Sequence, residues 1–410
     1  MRKKEIVSVN RRDHIPESPL KYTVKSIRII QNMLDELVNN SIKFKHFIQN
    51  KRVLIKPNLV RPYLKTSPAI TTDPRVTISL IRLLKDYGAS EIAIGENPGY
   101  GLKAMDAFKA MKLISLCKKM EVTLIPFDDC ETVIKKNPKA YVFKEIEFPS
   151  PVFEYDVLLN LPKMKTHMHT LVTLGMKNMQ GVILDHQRLL YHRDDIHHKI
   201  VDTVLLANPH FTIVDGIWAM EGQAPFFGET IRNMNTLVAG ENVAAVDTVA
   251  AIIMGFEPEE IATICLAREM GFKGTKLNEI TIHGCKIESI TRRFRRPVVS
   301  SVGVFPNIRC IQGGVCNGCK SALRHSLDKL QIEGKLKNKP EMTIFLGRPQ
   351  ENYFNPDSWT GDLWIFGDCA EELTKQLPGT QSSFCHLKGC PPHVLDLYKW
   401  FCNSYKDTQD

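Results

Sequence analysis

Short apolar runs that alternate with helix-period segments constrain this chain more than any other feature. Residues 52–56 (RVLIK) read as a buried strand ending at Pro57 and Asn58. Residues 74–87 (PRVTISLIRLLKDY) read as an amphipathic helix, with Asp73 as N-cap, Pro74 in the first turn and Gly88 as the stop. Strands follow at 91–95, 122–127, 155–161, 211–215 and 278–283, with a helix near 103–119. Strand–helix alternation of this kind is the signature of an α/β fold with a layered, mostly parallel sheet. In such sheets ligands bind in loops at the carboxyl ends of strands. Here those loops read IKPNLV, IGENPGYG, LPKMKTH and VDGIWAMEG. The glycine-rich piece is G-x-x-x-G-x-G, which is not the dinucleotide fingerprint.

The texture changes after Arg292-Arg293-Phe294-Arg295-Arg296 and Pro297. We expect two domains: residues 1–297, and a smaller cysteine-rich α/β domain over 298–410 with strands at 342–346 and 362–366. Six of the eleven cysteines fall between residues 310 and 390, an excess that even spacing does not give. An odd total in a long chain argues against a disulfide framework. The pattern is Cys310, Cys316-x2-Cys319, Cys369, then Cys385-x4-Cys390. A C-x2-C pair brings two sulfurs to one centre. Cys369 follows the strand LWIF at the expected start of a helix, and Cys390 precedes Pro391-Pro392 and a further helix. A thiolate is favoured at a helix N-terminus. Four thiolates serve an iron–sulfur cluster or structural zinc. The single C-x2-C pair, with other cysteines arriving one by one, favours a 4Fe–4S cluster held by Cys316, Cys319, Cys369 and Cys390. Cys310 and Cys385 are further candidate ligands or a redox pair, and Cys402 is a core residue.

Several ordered segments resemble one family. IKPNLV, TTDPRVTISLIRLLKDYGASEIAIGENPG, LPKMKTH, GMKNMQG, VDGIWAMEGQAP and GENVAAVDTVAAIIMG, spread over residues 50–270, are similar to the domain of unknown function 362 family. Members are described as iron–sulfur centre proteins, so the resemblance implies the same cofactor here. A second, partial resemblance is to nickel-pincer lactate racemases, whose cofactor-bearing lysine aligns with Lys177 and whose downstream histidines align with His192. The racemase Gly-Gly-x-Lys is Leu-Gly-Met-Lys here, and the racemases have no matching cysteine domain.

The first domain concentrates cations at strand ends. Lys163, Lys165 and His167 sit in LPKMKTH, and Lys177 and Asn178 in GMKNMQG. With Lys56 and Asn58 they suit a carboxylate or a phosphate. We expect His167, Lys165 and Lys177 to be catalytic, His167 as general base or acid. Lys56, Asn58, Lys163, Asn178, Glu96 and Glu221 are expected to bind substrate. His169 reads as solvent-facing, and DHQRLLYHRDDIHH as a solvated helix with one substrate-facing edge.

The formal net charge is +9, which points to an anionic partner: a small anionic substrate first, with nucleic acid as the reading carried by the Arg292–Arg296 run. No stretch approaches the roughly 18 apolar residues that span a bilayer, and MRKKEIVSVN lacks the apolar core of a signal peptide. The expectation is a cytoplasmic iron–sulfur oxidoreductase acting on a small anionic organic substrate. The alternatives are a non-enzymatic electron-transfer or maturation protein with a redox partner protein, and an RNA-binding or RNA-modifying protein.

Overall fold

The structure, a computed structural model, describes residues 4–39, 44–60, 68–99, 101–188, 190, 196–225, 227–297, 305, 307–337, 339–349, 361–375 and 384–405. Two compact units are present, one over Met1–Leu190 and His197–Pro297, the other made mainly of Val298–Asp410.

In the first unit the strands are β1 (Glu5–Arg11), β2 (Arg52–Pro57), β3 (Glu91–Glu96), β4 (Thr123–Pro126), the hairpin β5 (Thr132–Lys136) and β6 (Glu145–Pro149), β7 (Val157–Leu161), β8 (Lys163–His167), β9 (Leu171–Thr173), β10 (Phe211–Gln223), β11 (Phe227–Ile231), β12 (Thr236–Gly240) and β13 (Ile280–Gly284). The main sheet runs β13-β1-β12-β10-β7-β2-β3-β4, with β8, β9 and β11 attached beside β10. From β4 to β10 the neighbours along this path are parallel, while β12 is antiparallel to both β1 and β10. The α/β class and the largely parallel sheet are as expected.

Physical causes are local and readable. β2 and β7 are buried on both faces, which is why they are continuous apolar runs and not alternating ones. The helix Pro74–Asp86 begins where Asp73, extended at φ −63°, accepts the Arg75 N–H, and the chain turns away at Gly88 with φ +79°. This helix and Val24–Asn39 cover one face of the sheet, closing a core of Ile30, Leu34, Val53, Ile55, Leu80 and Ile94. Each such side chain contributes about 1.5–3 kcal/mol by burial.

Three expectations change. The helix near 103–119 is two helices, Ala104–Ala110 and Leu113–Lys119, broken at Lys112 with φ +57°. LPKMKTH is mostly strand: β8 pairs antiparallel with β9 and parallel with β10. VDGIWAMEG likewise lies inside the 13-residue β10. Polar residues are tolerated there because neighbouring strands satisfy the backbone and the lysines find partners, Asp215 for Lys163 and neutral oxygens for Lys165.

In the second unit β14 (Ile308–Gln312), β15 (Met342–Leu346), β16 (Asp362–Phe366) and β17 (Phe384–Leu387) form a parallel sheet in that order. The helices Asn317–Ile332 and Val394–Ser404 pack on one face around Leu323, Leu327, Trp364, Phe366 and Phe401. Phe345, Leu363 and Ile365 face Ala370 and Leu373 of the 3-10 segment Asp368–Lys375 on the other.

Candidate functional site

The chain leaves β2 for β3 and β4 on one side and returns to β7 and β10 on the other. The winding direction therefore reverses between β2 and β7, the place where open α/β sheets bind ligands. Lys56, near the carboxyl end of β2, stands opposite Asn160 of β7. Asn178 closes the gap: its amide donates to Asn160 Oδ1 at 2.8 Å, and its Oδ1 accepts from Asn58 Nδ2 at 2.8 Å and Lys56 Nζ at 3.3 Å. Lys56 Nζ also meets Glu96 Oε2 at 2.8 Å, with both side chains 3% exposed or less. Burial raises the Glu96 pKa and lowers that of Lys56, each opposed by its partner. Gly181 is required here, because any Cβ would run into Glu96 Oε1 and Lys56 Nζ.

Lys165 donates to Asn58 Oδ1 at 3.0 Å and to the Ile70 carbonyl at 2.7 Å. Burial, then the charges of Lys177, Lys163 and Lys56, hold its pKa well below the ordinary lysine value. Half-buried Lys177 has no hydrogen-bond partner among the described residues. Burial, Arg188 and Lys56 lower its pKa to about 8. Buried His167 accepts the His169 N–H on Nδ1 at 3.0 Å, so in the neutral ring the proton sits on Nε2. The ring presents a hydrogen-bond donor to its surroundings.

The sequence placed Lys56, Asn58, Glu96, Lys165, Lys177 and Asn178 in one site; hydrogen bonds join all of them but Lys177, whose charge is felt by Lys165. Two other choices lie elsewhere. Lys163 is locked to Asp215 at 2.8 Å with both side chains fully buried, and the same carboxylate accepts the Asp73 N–H. Glu221 accepts the Arg295 N–H at 2.9 Å, because β10 carries it past the lysines toward the basic run. Part of that run is engaged: Arg295 pairs with Glu229, Arg296 with Glu260 at 2.7 Å, and Phe294 is buried, while Arg292 and Arg293 are exposed.

Reasoning from sequence gave residues 185–198 one substrate-facing edge but named none of its residues, and it took His169 as solvent-facing. His169 is half-buried, with its pKa lowered to about 3 by burial, Lys177, His197 and Lys199. Lys199 is lowered to about 7 by burial, Lys177 and Arg188, and His197 to about 4 by burial, His198 and Lys177. The helix Ile196–Leu206 turns this edge inward. The density of cations in residues 185–199 was the available signal. His192 lies outside the described residues.

In the second unit Cys316, Cys319, Cys369 and Cys390 follow the carboxyl ends of parallel strands. Cys316 is the N-cap of Asn317–Ile332, the helix after β14, and Cys319 lies in its first turn. Cys369 follows β16 and Cys390 follows β17. The last two loops are tied together: Asp368 N–H reaches the Gly389 carbonyl at 3.0 Å, and Gly389 N–H reaches Asp368 Oδ1 at 2.7 Å. The Cys319 thiol hydrogen-bonds with that of Cys316 and feels the charges of Cys390 and Cys369. These effects and burial push its pKa far up. Four sulfurs thus share one neighbourhood, in which a Cys319 thiolate is unstable without a cation. Among the described residues no three His, Cys, Asp or Glu side chains are grouped as for a single metal ion. The helix after Cys390 starts at Val394, with His393 as N-cap, so the helix N-terminus favours Cys316 and Cys319 in place of Cys390. Cys310 and Cys385 lie on β14 and β17, the opposite edges of the sheet, raised to about 12 and about 11 by burial. Three strand spacings, roughly 14 Å, separate them, so they are not a redox pair.

Residues 53–252 match the family model described as "Domain of unknown function (DUF362)". The chain is 26% identical over 230 residues, 55% of its length and 69% of the relative's, to a thylakoid-associated protein of Synechocystis. It is also similar to the lactate racemase apoprotein of Thermoanaerobacterium thermosaccharolyticum (13% identity, TM-score 0.37, covering 62% of this chain and 58% of that one). A Thermotoga maritima protein of known structure is similar over 49% of this chain and 52% of its own, at 15% identity and TM-score 0.35. The chain spans little more than half of each solved structure. Among the described residues no helix is long and apolar enough to cross a membrane.

Proposed function

We propose that this chain, which carries a match to the domain of unknown function 362, is an iron–sulfur-dependent oxidoreductase acting on a small anionic organic substrate. The observation that carries the reading is the meeting of Cys316, Cys369 and Cys390 around Cys319. A zinc ion draws four sulfurs to within about 2.3 Å of one point. A 4Fe–4S cluster spreads four thiolates around a larger body. The loose quartet, with two members at a helix N-terminus, suits the larger group, and Cys316, Cys319, Cys369 and Cys390 would hold it.

When bound, such a cluster supplies single electrons, received from a redox partner protein. The remaining work falls to side chains of the first unit. Lys165 and Lys177 attract the anion in a site largely closed to water, where charge is worth more than in solvent. Lys177, with a pKa near 8, carries a proton at neutral pH and releases it readily. His167 offers Nε2–H to a developing negative charge. A non-enzymatic electron carrier is the second reading. It is favoured by the near-complete burial of Lys56, Lys163 and Lys165 in internal bonds.

The test is anaerobic reconstitution followed by iron, sulfide and zinc analysis and a visible spectrum. About four iron and four sulfide per chain are expected, lost in Cys319→Ser and kept in Cys402→Ser. Bound zinc with no iron would end the proposal. Reoxidation of the reduced protein by small anions separates enzyme from carrier.

A further inference from the structure

Several polar groups of the first unit have no hydrogen-bond partner of their own among the described residues. Lys177 Nζ has no partner among the described residues. Arg188 is 8% exposed, yet its Nε has none. His197 Nδ1 is also buried and unpartnered. Buried polar atoms without partners are rare, and each asks for a ligand or water.

These groups share one neighbourhood. Lys177 feels Arg188 and Lys56, Lys165 and His197 feel Lys177, and Lys199 feels Lys177 and Arg188. The carboxylates in reach are few. Glu96 is taken by Lys56. Asp185 lies 3.3 Å from Arg188 Nη1, and Asp128 acts on Arg188 from further away. Lys165 and Lys199 are bonded to neutral oxygens: Asn58 Oδ1 and the Ile70 carbonyl for the first, the Arg188 and Leu190 carbonyls for the second. Three amines therefore stand together with no carboxylate of their own.

We infer that Lys165, Lys177, Lys199 and Arg188 form a binding site for a phosphoryl group, so that the anionic substrate is a phosphate ester or a phosphoanhydride. This rests on the reading of that site as the substrate site. Two features favour phosphoryl over carboxylate. The surplus is more than one positive charge, which a dianion balances and a monocarboxylate does not. The donors also arrive from β8, the 175–178 turn, the 185–188 turn and the helix Ile196–Leu206. Point-like ammonium groups on different sides suit a tetrahedral acceptor, whereas a planar carboxylate is best met by one two-pronged guanidinium.

The free site holds its amines partly neutral, Lys165 and Lys199 most of all, so a bound dianion recharges them and protons are taken up. Around Lys177 the titratable neighbours are Lys56, Lys165, Arg188 and Lys199, the neutral rings of His169 and His197, and the opposing carboxylates Glu96 and Asp185.

Titration calorimetry on the full chain tests this, with sulfate as a dianion of constant charge, inorganic phosphate, acetate and succinate, in buffers of different protonation heat. Phosphate should bind at least about tenfold more tightly than acetate or succinate. Sulfate binding should take up protons and weaken as pH rises from about 6 to about 9. Lys177→Met and Lys199→Met, with unchanged circular dichroism and melting, should each weaken phosphate about tenfold or more. A carboxylate that binds as well as phosphate, sulfate binding without proton uptake, or folded variants that bind phosphate normally would each overturn the inference. The cluster assay is independent. Phosphate binding with no iron would remove only the redox reading, and an iron-loaded protein that prefers carboxylates would remove only this one.

Discussion

The Asp247 carboxylate lies 2.6 Å from the Gly175 nitrogen and accepts its N–H, while its second oxygen accepts the Met176 N–H at 2.9 Å. One contact thus joins two separate sequence motifs, GENVAAVDTVAA and GMKNMQG, and fixes the turn that carries Lys177 and Asn178. A Cβ at Gly175 would stand 2.7 Å from Asp247 Oδ1 and 2.6 Å from Val243 Cγ2, so only glycine allows the approach.

Asp247 should make stability depend on pH. Burial raises its pKa from 3.8 to about 7, against the two N–H bonds. The folded state therefore holds the proton more tightly than the unfolded chain. Its contribution is greatest below about pH 4 and is lost as pH climbs to about 7, by ~4 kcal/mol in all. Asp247→Asn should flatten that slope. Melting temperatures of both proteins across this range give the difference curve, and parallel curves would refute the assignment.

Lys56 and Glu96 should prove strongly non-additive. Lys56→Met leaves a buried carboxylate uncompensated and should cost about 3–5 kcal/mol. Adding Glu96→Gln removes the stranded charge and keeps an acceptor for the Leu59 or Asn97 N–H, so the double variant should recover about half or more of the loss. Urea denaturation of the four proteins in the cycle measures the coupling.

Gly367 should be irreplaceable near the cysteines. Its φ is +92°, and a Cβ there would lie 3.1 Å from Cys319 Sγ. Gly367→Ala should cost about 1–3 kcal/mol and reduce the iron retained after reconstitution. An alanine variant with the melting temperature and iron content of the parent would contradict this.

Oxidation of the metal-free protein should link Cys316 to Cys319 and should not link Cys310 to Cys385. The first pair are hydrogen-bonded, while the second lie on opposite sheet edges, roughly 14 Å apart, far beyond disulfide reach. Peptide mapping after mild oxidation distinguishes the two, and a Cys310–Cys385 link would mean that the strand order is wrong.

Much of the fold was legible because its signals are local. The strand RVLIK, the Asp73 cap and the Gly88 stop each follow from a few neighbouring residues. The failures came where distant pairing overrode local character. LPKMKTH looks like a loop, yet β9 and β10 make it a strand. Half the candidate site was legible for the same reason: Lys165, Lys177 and Asn178 stand in motifs with an unusual density of cations. His169, His197, Lys199 and Arg188 were not: His169 reads as solvent-facing, and a substrate-facing edge on the helix at 185–198 does not say which of its residues turn inward.

By itself the sequence determined the α/β class, the main strands and caps, and the concentration of thiols and cations, since period, capping and composition act over a few residues. Only the tertiary structure decided which charges neutralise one another, that Lys163 and Glu221 are spent on Asp215 and Arg295, and that Cys310 and Cys385 lie on opposite edges of a sheet. Those outcomes depend on strand order and on side-chain distances of a few ångströms, which the order of residues along a chain does not contain.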